Sequence, residues 1–114
     1  MNIEDIHVYA LSKPGAEESF PFGAETLVLK VNGKIFMLMG LDRQPAQFNV
    51  KCDPERAEEL RESHGCIIPG YHMNKKHWNT VIVDGSLTNR EIREQIDHSY
   101  ELVAPQPKTA KSKK

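Results

Sequence analysis

The chain has 114 residues, of which 39% are hydrophobic and 27% charged, a size and composition that suit one soluble globular domain with a modest core. It has no run near the about 20 apolar residues of a membrane span, and its acidic start is unlike a secretion signal, so we expect a cytoplasmic protein with no membrane partner. The last 11 residues hold four lysines, which leaves 11 basic against 16 acidic residues in the rest, a net charge of −5 that excludes a generally basic nucleic-acid-binding domain.

The N-terminal segment predicts a short helix followed by a connector. Asn2 with Asp5 is typical of a helix cap, and a Lys-Pro-Gly triplet then ends the helix. Residues 15–23 form the connector. We expect Phe20 and Phe22 to pin it onto the core, because aromatic rings bury large areas.

A β-hairpin is the clearest local signal that follows. The apolar segments Thr26–Val31 and 34–41 are separated only by Asn32 and Gly33, a pair that favours a type I′ turn. Residues 47–52 alternate between apolar and polar side chains, which predicts a third, half-exposed strand.

The second half of the chain predicts two helices and one or two strands. A helix is expected at Pro54–Ser63, short apolar or β-rich segments at 66–68 and 78–83, and a last helix after the capping box of Thr88 and Glu91. We expect the exposed side of the helix at Pro54–Ser63 to be a solvated face with local ion pairs. That face carries Glu55, Arg56, Glu58, Glu59, Arg61 and Glu62.

This order of elements predicts an α+β fold, an antiparallel β-sheet with helices packed on one face. Residues 1–103 are predicted to form a single domain. Residues 104–114, rich in Lys and Pro, are predicted to be a disordered tail because they hold too little apolar surface to fold.

The segment 69–81, with the sequence PGYHMNKKHWNTV, is the most unusual stretch, since rings and lysines lie between a Pro-Gly turn and an apolar run. Two interpretations are open. Trp78, the only tryptophan, can pack into the core while Lys75 and Lys76 are merely solvated. Alternatively, residues 74–77 are presented outward as part of a binding surface.

The spacing of cysteines and histidines gives little support for a metal site or for covalent catalysis. The cysteines and histidines form no CxxC pair, and His72 and His77, five residues apart, do not share a helical face. Cys66 lies in an apolar run, where a thiol is usually a small buried hydrophobe. We predict no metal site, no cofactor and no catalytic residue, with a small-ligand site around Tyr71, His72 and His77 as a remaining alternative.

Nucleic-acid contact is the chemistry that the segment favours, because lysines neutralise phosphates, amides bond to bases or backbone, and rings stack on bases. The candidate nucleic-acid contacts are Lys34, Lys51, Lys75, Lys76, His77 and Asn79. The candidate stacking or ligand residues are Tyr71, His72 and Trp78.

Six blocks of sequence carry a family resemblance. They are PGAEESFPFG at 14–23, LVLKVNGKIFML at 27–38, KCDPERAEELR at 51–61, PGYHMNKKHWNTV at 69–81, DGS at 84–86 and SYELV at 99–103. With these blocks in this order, the chain resembles the MmcQ/YjbR-like family of small, mostly bacterial proteins over about residues 3–103.

The resemblance implies a compact α+β fold similar to the CyaY-like or secretion-chaperone-like arrangement. It brings no enzymatic activity and no cofactor. It also implies DNA binding, because two β-hairpin wings are proposed for the family as a double-wing reader. In this chain one wing would be the hairpin at Asn32 and Gly33, and the other would involve residues 74–78.

We therefore predict a small cytosolic, non-enzymatic protein that binds double-stranded DNA through its basic-aromatic segment and hairpin wings. A module that binds a protein or peptide, through a sheet edge or the groove beside Tyr71 and Trp78, is the second hypothesis. A small-ligand site around His72 and His77 is the third.

Overall fold

The structure, a computed structural model, describes residues 1–70 and 73–104, which contain three helices and six strands. The helices are α1 (Ile3–Leu11), α2 (Pro54–Ser63) and α3 (Asn89–Val103). The strands are β1 (Ala16–Ser19), β2 (Thr26–Val31), β3 (Lys34–Gly40), β4 (Gln47–Lys51), β5 (Ile67–Pro69) and β6 (Trp78–Ile82). All neighbouring strands pair antiparallel, in the order β1-β2-β3-β4-β6-β5. The α+β fold class is confirmed.

Local sequence signals set the ends of several elements as expected. Asn32 and Gly33 join β2 to β3 with φ angles of 54° and 78°, the positive values that a type I′ turn requires. Both predicted capping boxes are present, that of Asn2 at α1 and that of Thr88 at α3. Each cap satisfies backbone N–H groups that would otherwise lack a partner at the helix start.

One face of the sheet carries the core beneath the helices. Leu29, Met37 and Val50 are register partners across β2, β3 and β4, and all three are fully buried. Ile6 of α1 and Ile96 of α3 pack into the same cluster. Burying a side chain of this size stabilises the fold by roughly 1.5–3 kcal/mol, so this layer is the main source of stability.

Ser99 attaches α3 to the centre of the sheet. Its hydroxyl accepts a hydrogen bond from the backbone N–H of Lys51 at 2.9 Å and donates one to the carbonyl of Phe36 at 2.5 Å. The ring of Tyr100 meets that of Phe36 edge-on, with centroids 5.4 Å apart. These contacts hold the first residues of β3 and the last residue of β4 against the C-terminal turns of α3.

The opposite face, which we call the outer face, has no helix of the described residues packed on it. Val28, Leu38, Asn49 and Thr80 are register partners across β2, β3, β4 and β6, and alternate with the core residues. Near the middle of this row, the Thr80 hydroxyl donates to the carboxamide oxygen of Asn49. The outer face therefore has a polar pair beside apolar neighbours.

Two expectations about the connector at 15–23 are wrong. It contains β1, whose sequence AEES has little β preference and which pairs because β2 offers its backbone groups at the sheet edge. Phe20 and Phe22 are 47% and 66% exposed instead of packed on the core. With its backbone held at the sheet edge, the chain does not turn these rings toward the helices.

The predicted tail is mostly outside the described residues. Ala104 caps α3, and the rest of the segment 104–114 carries no structural description here. Within residues 1–70 and 73–104, no helix has the length and apolar character to cross a membrane.

His98 links α3 to the start of α2 in a way that requires a neutral ring. Its Nε2 accepts a hydrogen bond from the backbone N–H of Asp53 at 3.1 Å. Burial lowers the pKa of His98 below its ordinary value, and the charge of Arg56 lowers it further, while Asp53 and Glu101 oppose this. Protonation of His98 therefore opposes folding.

We predict that the protein loses stability as the pH falls below the ordinary histidine pKa of about 6.5. Between that pH and the lower folded pKa, the unfolded chain binds more protons than the folded chain, so acid shifts the equilibrium toward unfolding. Urea unfolding at mildly acidic and neutral pH measures the effect. A His98→Gln variant, which keeps an acceptor but does not titrate, should show a smaller difference, and an equal difference in both proteins would contradict this role.

Candidate functional site

One end of the sheet, which we call the lysine end, gathers segments that are far apart in sequence. There β3 begins at Lys34, β4 ends at Lys51, and β6 begins at Trp78, the register partner of Lys51. Since β3, β4 and β6 are adjacent antiparallel strands, these positions lie along the same margin of the sheet. The loop at 73–77, which leads into β6, lies there too.

The loop at 73–77 is held by its own backbone and by the end of β4. The Asn74 carbonyl accepts from the N–H of His77 at 3.1 Å, and the Asn74 side chain accepts from the N–H of Lys76 at 2.9 Å. The His77 carbonyl accepts from the N–H of Cys52 at 2.7 Å. The backbone of residues 74–77 is therefore held in a defined turn, which carries Lys75 and Lys76.

Arg61 of α2 holds this loop from the helical side, a set of contacts that we call the Arg61 clamp. Its Nε donates to the Asn79 carboxamide oxygen at 2.7 Å, and Nη2 donates to the Trp78 carbonyl at 3.2 Å and also to the Lys75 carbonyl. Hydrogen bonds from a charged group are stronger than those between neutral groups. One guanidinium thus couples α2, the loop and the start of β6.

The clamp corrects two sequence predictions. Arg61, expected on the solvated face of α2, turns inward and is half-buried. Asn79, predicted to contact nucleic acid, is fully buried as the register partner of Val50 on the helical side of the sheet. Its Oδ1 serves Arg61, and its Nδ2 has no hydrogen-bond partner among residues 1–70 and 73–104. Asn79 is therefore a structural residue.

Gly70 is required where the chain leaves β5. Its N–H donates to the Trp78 carbonyl at 2.9 Å, and a Cβ atom there would lie 2.8 Å from the Cβ of Trp78. Only glycine permits such close approach of the two strands. The Lys75 Nζ lies 3.4 Å from the Gly70 carbonyl, so that side chain crosses back over the loop.

The other predicted site residues fall into three groups. The exposed ones are Lys34, Lys75 and Lys76, and the half-buried ones are Lys51, His77 and Trp78. Tyr71 and His72 lie outside the described residues. The structure thus brings Lys34, Lys51 and the two loop lysines to one margin of the sheet. The side chain of Trp78 is partly buried and partly exposed.

Acidic residues of α2 stand beside this margin. Lys76 and Arg61 line a small cavity of ≈ 120 Å³ together with Pro54, Glu55 and Glu58. Two carboxylates so near Lys76 offset part of its charge. The positive potential of the lysine end is therefore local.

A groove on the outer face was not foreseen from the sequence. It has a volume of ≈ 540 Å³, a floor that includes Leu38 and Asn49, and walls that include Phe22, Arg43 and Met73 from three different loops. The alternation of β4 already indicates that Asn49 is on the polar face. The walls come from loops that are distant in sequence, and no local pattern reveals that they meet.

The thiol of Cys66 is 4% exposed, and burial raises its pKa. The protonated form is a poor nucleophile. Among the residues that the structure describes, no three His, Cys, Asp or Glu side chains are grouped so as to hold a metal ion.

We predict that Arg61→Ala lowers the free energy of unfolding by about 2 kcal/mol, because it removes charged hydrogen bonds and leaves the buried Asn79 oxygen unpaired. Urea unfolding measures this change. Arg90→Ala is the control, since the Arg90 side chain is 88% exposed and forms a surface ion pair with Glu94 of its own helix. It should change stability by less than about 0.5 kcal/mol, and equal effects of the two substitutions would refute the clamp.

Comparison with known proteins identifies relatives over nearly the whole chain. The family model described as YjbR matches residues 11–102. The uncharacterized protein YjbR of Escherichia coli K12 is 38% identical over 102 residues, which are 89% of this chain and 86% of that protein. The uncharacterized protein YbdF of Escherichia coli O157:H7 is 40% identical over 94 residues, 82% of this chain and 77% of the relative.

Solved structures share the fold. Deinococcus radiodurans protein DR2400, described by the family-model domain DUF419, has a TM-score of 0.85 and 40% identity, with 90% of this chain and 78% of that chain covered. A Pseudomonas syringae protein has a TM-score of 0.78 and 29% identity, covering 90% of this chain and 99% of the other. With a family model over most of its length and relatives of this similarity, the chain belongs to the YjbR family.

Proposed function

We propose that this protein is a non-enzymatic DNA-binding protein that contacts the phosphate backbone of double-stranded DNA through its lysine end. The observation that carries the proposal is the convergence of Lys34, Lys51, Lys75 and Lys76 from three chain segments onto one margin of the sheet. Lysine ammonium groups are the usual sequence-independent contacts to phosphates. The two loop lysines lie on a defined turn and are exposed, and the Lys75 ammonium would exchange its hydrogen bond to the Gly70 carbonyl for a phosphate.

The arrangement of hairpins supports contact with both strands of a duplex. The β2–β3 hairpin turns at Asn32 and Gly33, and β5 and β6 form a second hairpin whose loop leads to the same end of the sheet. The centre line between β2 and β3 is three inter-strand spacings from the centre line between β6 and β5, a distance of about 14 Å. The major groove of B-DNA is about 12 Å wide, so the two hairpins can reach the phosphates on either side of it. This agrees with the double-wing arrangement that the family resemblance implies.

The charges limit how strong such binding is. Three or four phosphate contacts give a salt slope of about −3 to −4 in a plot of log affinity against log salt. The acid excess of the chain and the carboxylates of Glu55 and Glu58 beside Lys76 oppose it further. The proposal therefore requires weak binding with a moderate salt dependence.

A protein or peptide partner is the second candidate. Strand β5 is at one edge of the described sheet, and its Ile68 is 39% exposed. An edge strand can pair with an added peptide strand. However, β5 has three residues and ends at Pro69, which limits the number of backbone hydrogen bonds available.

We predict that Lys75→Ala/Lys76→Ala weakens binding to a short labelled duplex at low salt and reduces the magnitude of the salt slope by about 2. Fluorescence anisotropy over a salt series measures both. Arg90→Ala/Arg93→Ala at the start of α3 removes the same charge elsewhere and should have a much smaller effect. If removal of residues 105–114 abolishes binding while the Lys75/Lys76 variant retains it, the assignment to the lysine end is wrong.

The carboxylates beside Lys76 lead to a second prediction, in which a substitution raises the affinity for DNA instead of lowering it. Glu55→Gln/Glu58→Gln should strengthen duplex binding several-fold at low salt, because it removes repulsion next to the phosphate contacts. The effect should fade at high salt, where charges are screened. Glu94→Gln/Glu101→Gln on α3 is the matched control in net charge. Equal gains in affinity for both variants would mean that the net charge alone controls binding, and that the position of Glu55 and Glu58 beside Lys76 does not.

A further inference from the structure

We infer that the outer-face groove receives an unpaired nucleobase, so that the protein binds single-stranded nucleic acid more tightly than a duplex. This inference rests on the proposed function, because the same lysine end holds the phosphates. It adds a ligand class and a second site. The argument depends on the position of the groove, its walls and the polar groups along it.

The groove opens next to the lysine end. Asn49 of its floor is two residues before Lys51 on β4, so both side chains project from the outer face. Ile35, which also lines the groove, is the register partner of Lys30 on β2. Lys30 and Lys51 thus stand at one end of the groove, where a ligand with a negative charge would place that charge.

The walls provide a surface for a planar apolar group. The ring of Phe22 is 66% exposed and lines the groove, so its face is available for stacking. Leu38 of the floor is 9% exposed and Met73 lines the other side. Aromatic rings stack on every base and have little sequence preference, whereas duplex bases are already stacked and paired.

Polar groups along the groove match the edge of a base. The carboxamide of Gln47 can donate and accept hydrogen bonds, and that of Asn49 can donate through Nδ2 while its oxygen accepts from the Thr80 hydroxyl, so both offer groups that a base edge can bond. Glu25 and Asp42 lie at the loops that wall the groove. Their carboxylates accept hydrogen bonds and so favour bases with an exocyclic amino group, cytosine or adenine, over thymine.

The charged groups around the groove suit a nucleotide. Lysines stand at one end, and Glu25, Asp42 and Arg43 place hydrogen-bond acceptors and a donor among the loops, where the polar edge of a base would lie. The volume of ≈ 540 Å³ is in the range of compact ligand sites and holds a base or a nucleotide.

The experiment compares labelled oligo-dC, oligo-dT and a duplex of equal length by fluorescence anisotropy on the full chain at slightly alkaline pH. We expect oligo-dC to bind more tightly than oligo-dT and the duplex. Phe22→Ala should weaken oligo-dC binding about tenfold, the size of one lost base-stacking contact, and leave duplex binding unchanged. Phe20→Ala is the matched control, because Phe20 is 47% exposed on the same connector and does not line the groove.

The outcomes separate the inference from the proposed function. If the duplex binds and depends on Lys75 and Lys76, but oligo-dC binds no better and Phe22→Ala has no effect, the groove inference is overturned and the proposed function stands. If Phe22→Ala and Phe20→Ala weaken oligo-dC binding equally, the groove is not the site. If a peptide strand rather than any oligonucleotide binds in a Phe22-dependent way, or nothing binds, both are overturned.

Discussion

The Arg61 clamp is the contact on which the candidate binding end depends. A helix, a loop and a strand meet at one guanidinium, which reaches the carboxamide of Asn79 and the carbonyls of Lys75 and Trp78. Without it, the hydrogen bonds described for residues 74–77 would be those of their own turn, one from Cys52 after β4 and one from Lys75 to the Gly70 carbonyl. Because a charged donor serves several acceptors in a partly buried place, the loop has one favoured position, and its lysines are held near Lys51.

The two faces of the sheet have different physical roles. The helical face carries the core and provides most of the stability; Ser99 connects α3 to this face, and His98 connects α3 to the start of α2. The outer face is bordered by three loops, so it can hold polar side chains such as Asn49 at little cost to folding. This division places the lysine end beside the groove, which is why we propose that one ligand uses both.

Patterns within a few residues predicted most of the fold. The Asn32-Gly33 pair fixed the hairpin, and the caps fixed the starts of α1 and α3, because each signal acts through its own backbone. Features that depend on distant residues were missed. Strand β1 forms because β2 offers an edge, Arg61 turns inward because Asn79 lies beneath it, and Phe22 and Met73 line one groove only in the folded chain. The exposure of Lys34, Lys75 and Lys76 could be predicted because charged side chains stay in water, but the burial of Asn79 required the strand register.

The central claim is that the lysine end and the outer-face groove form one nucleic-acid-binding surface. Mapping backbone amide chemical shifts by NMR while a short single-stranded oligonucleotide is added tests it most directly. The account predicts that the shifts concentrate at residues 30–35, 47–51 and 73–78 and at the loop around Phe22, while α1 and the first turns of α3 stay unchanged. Shifts confined to the helical face or to residues 105–114, or no shifts at low salt, would contradict it.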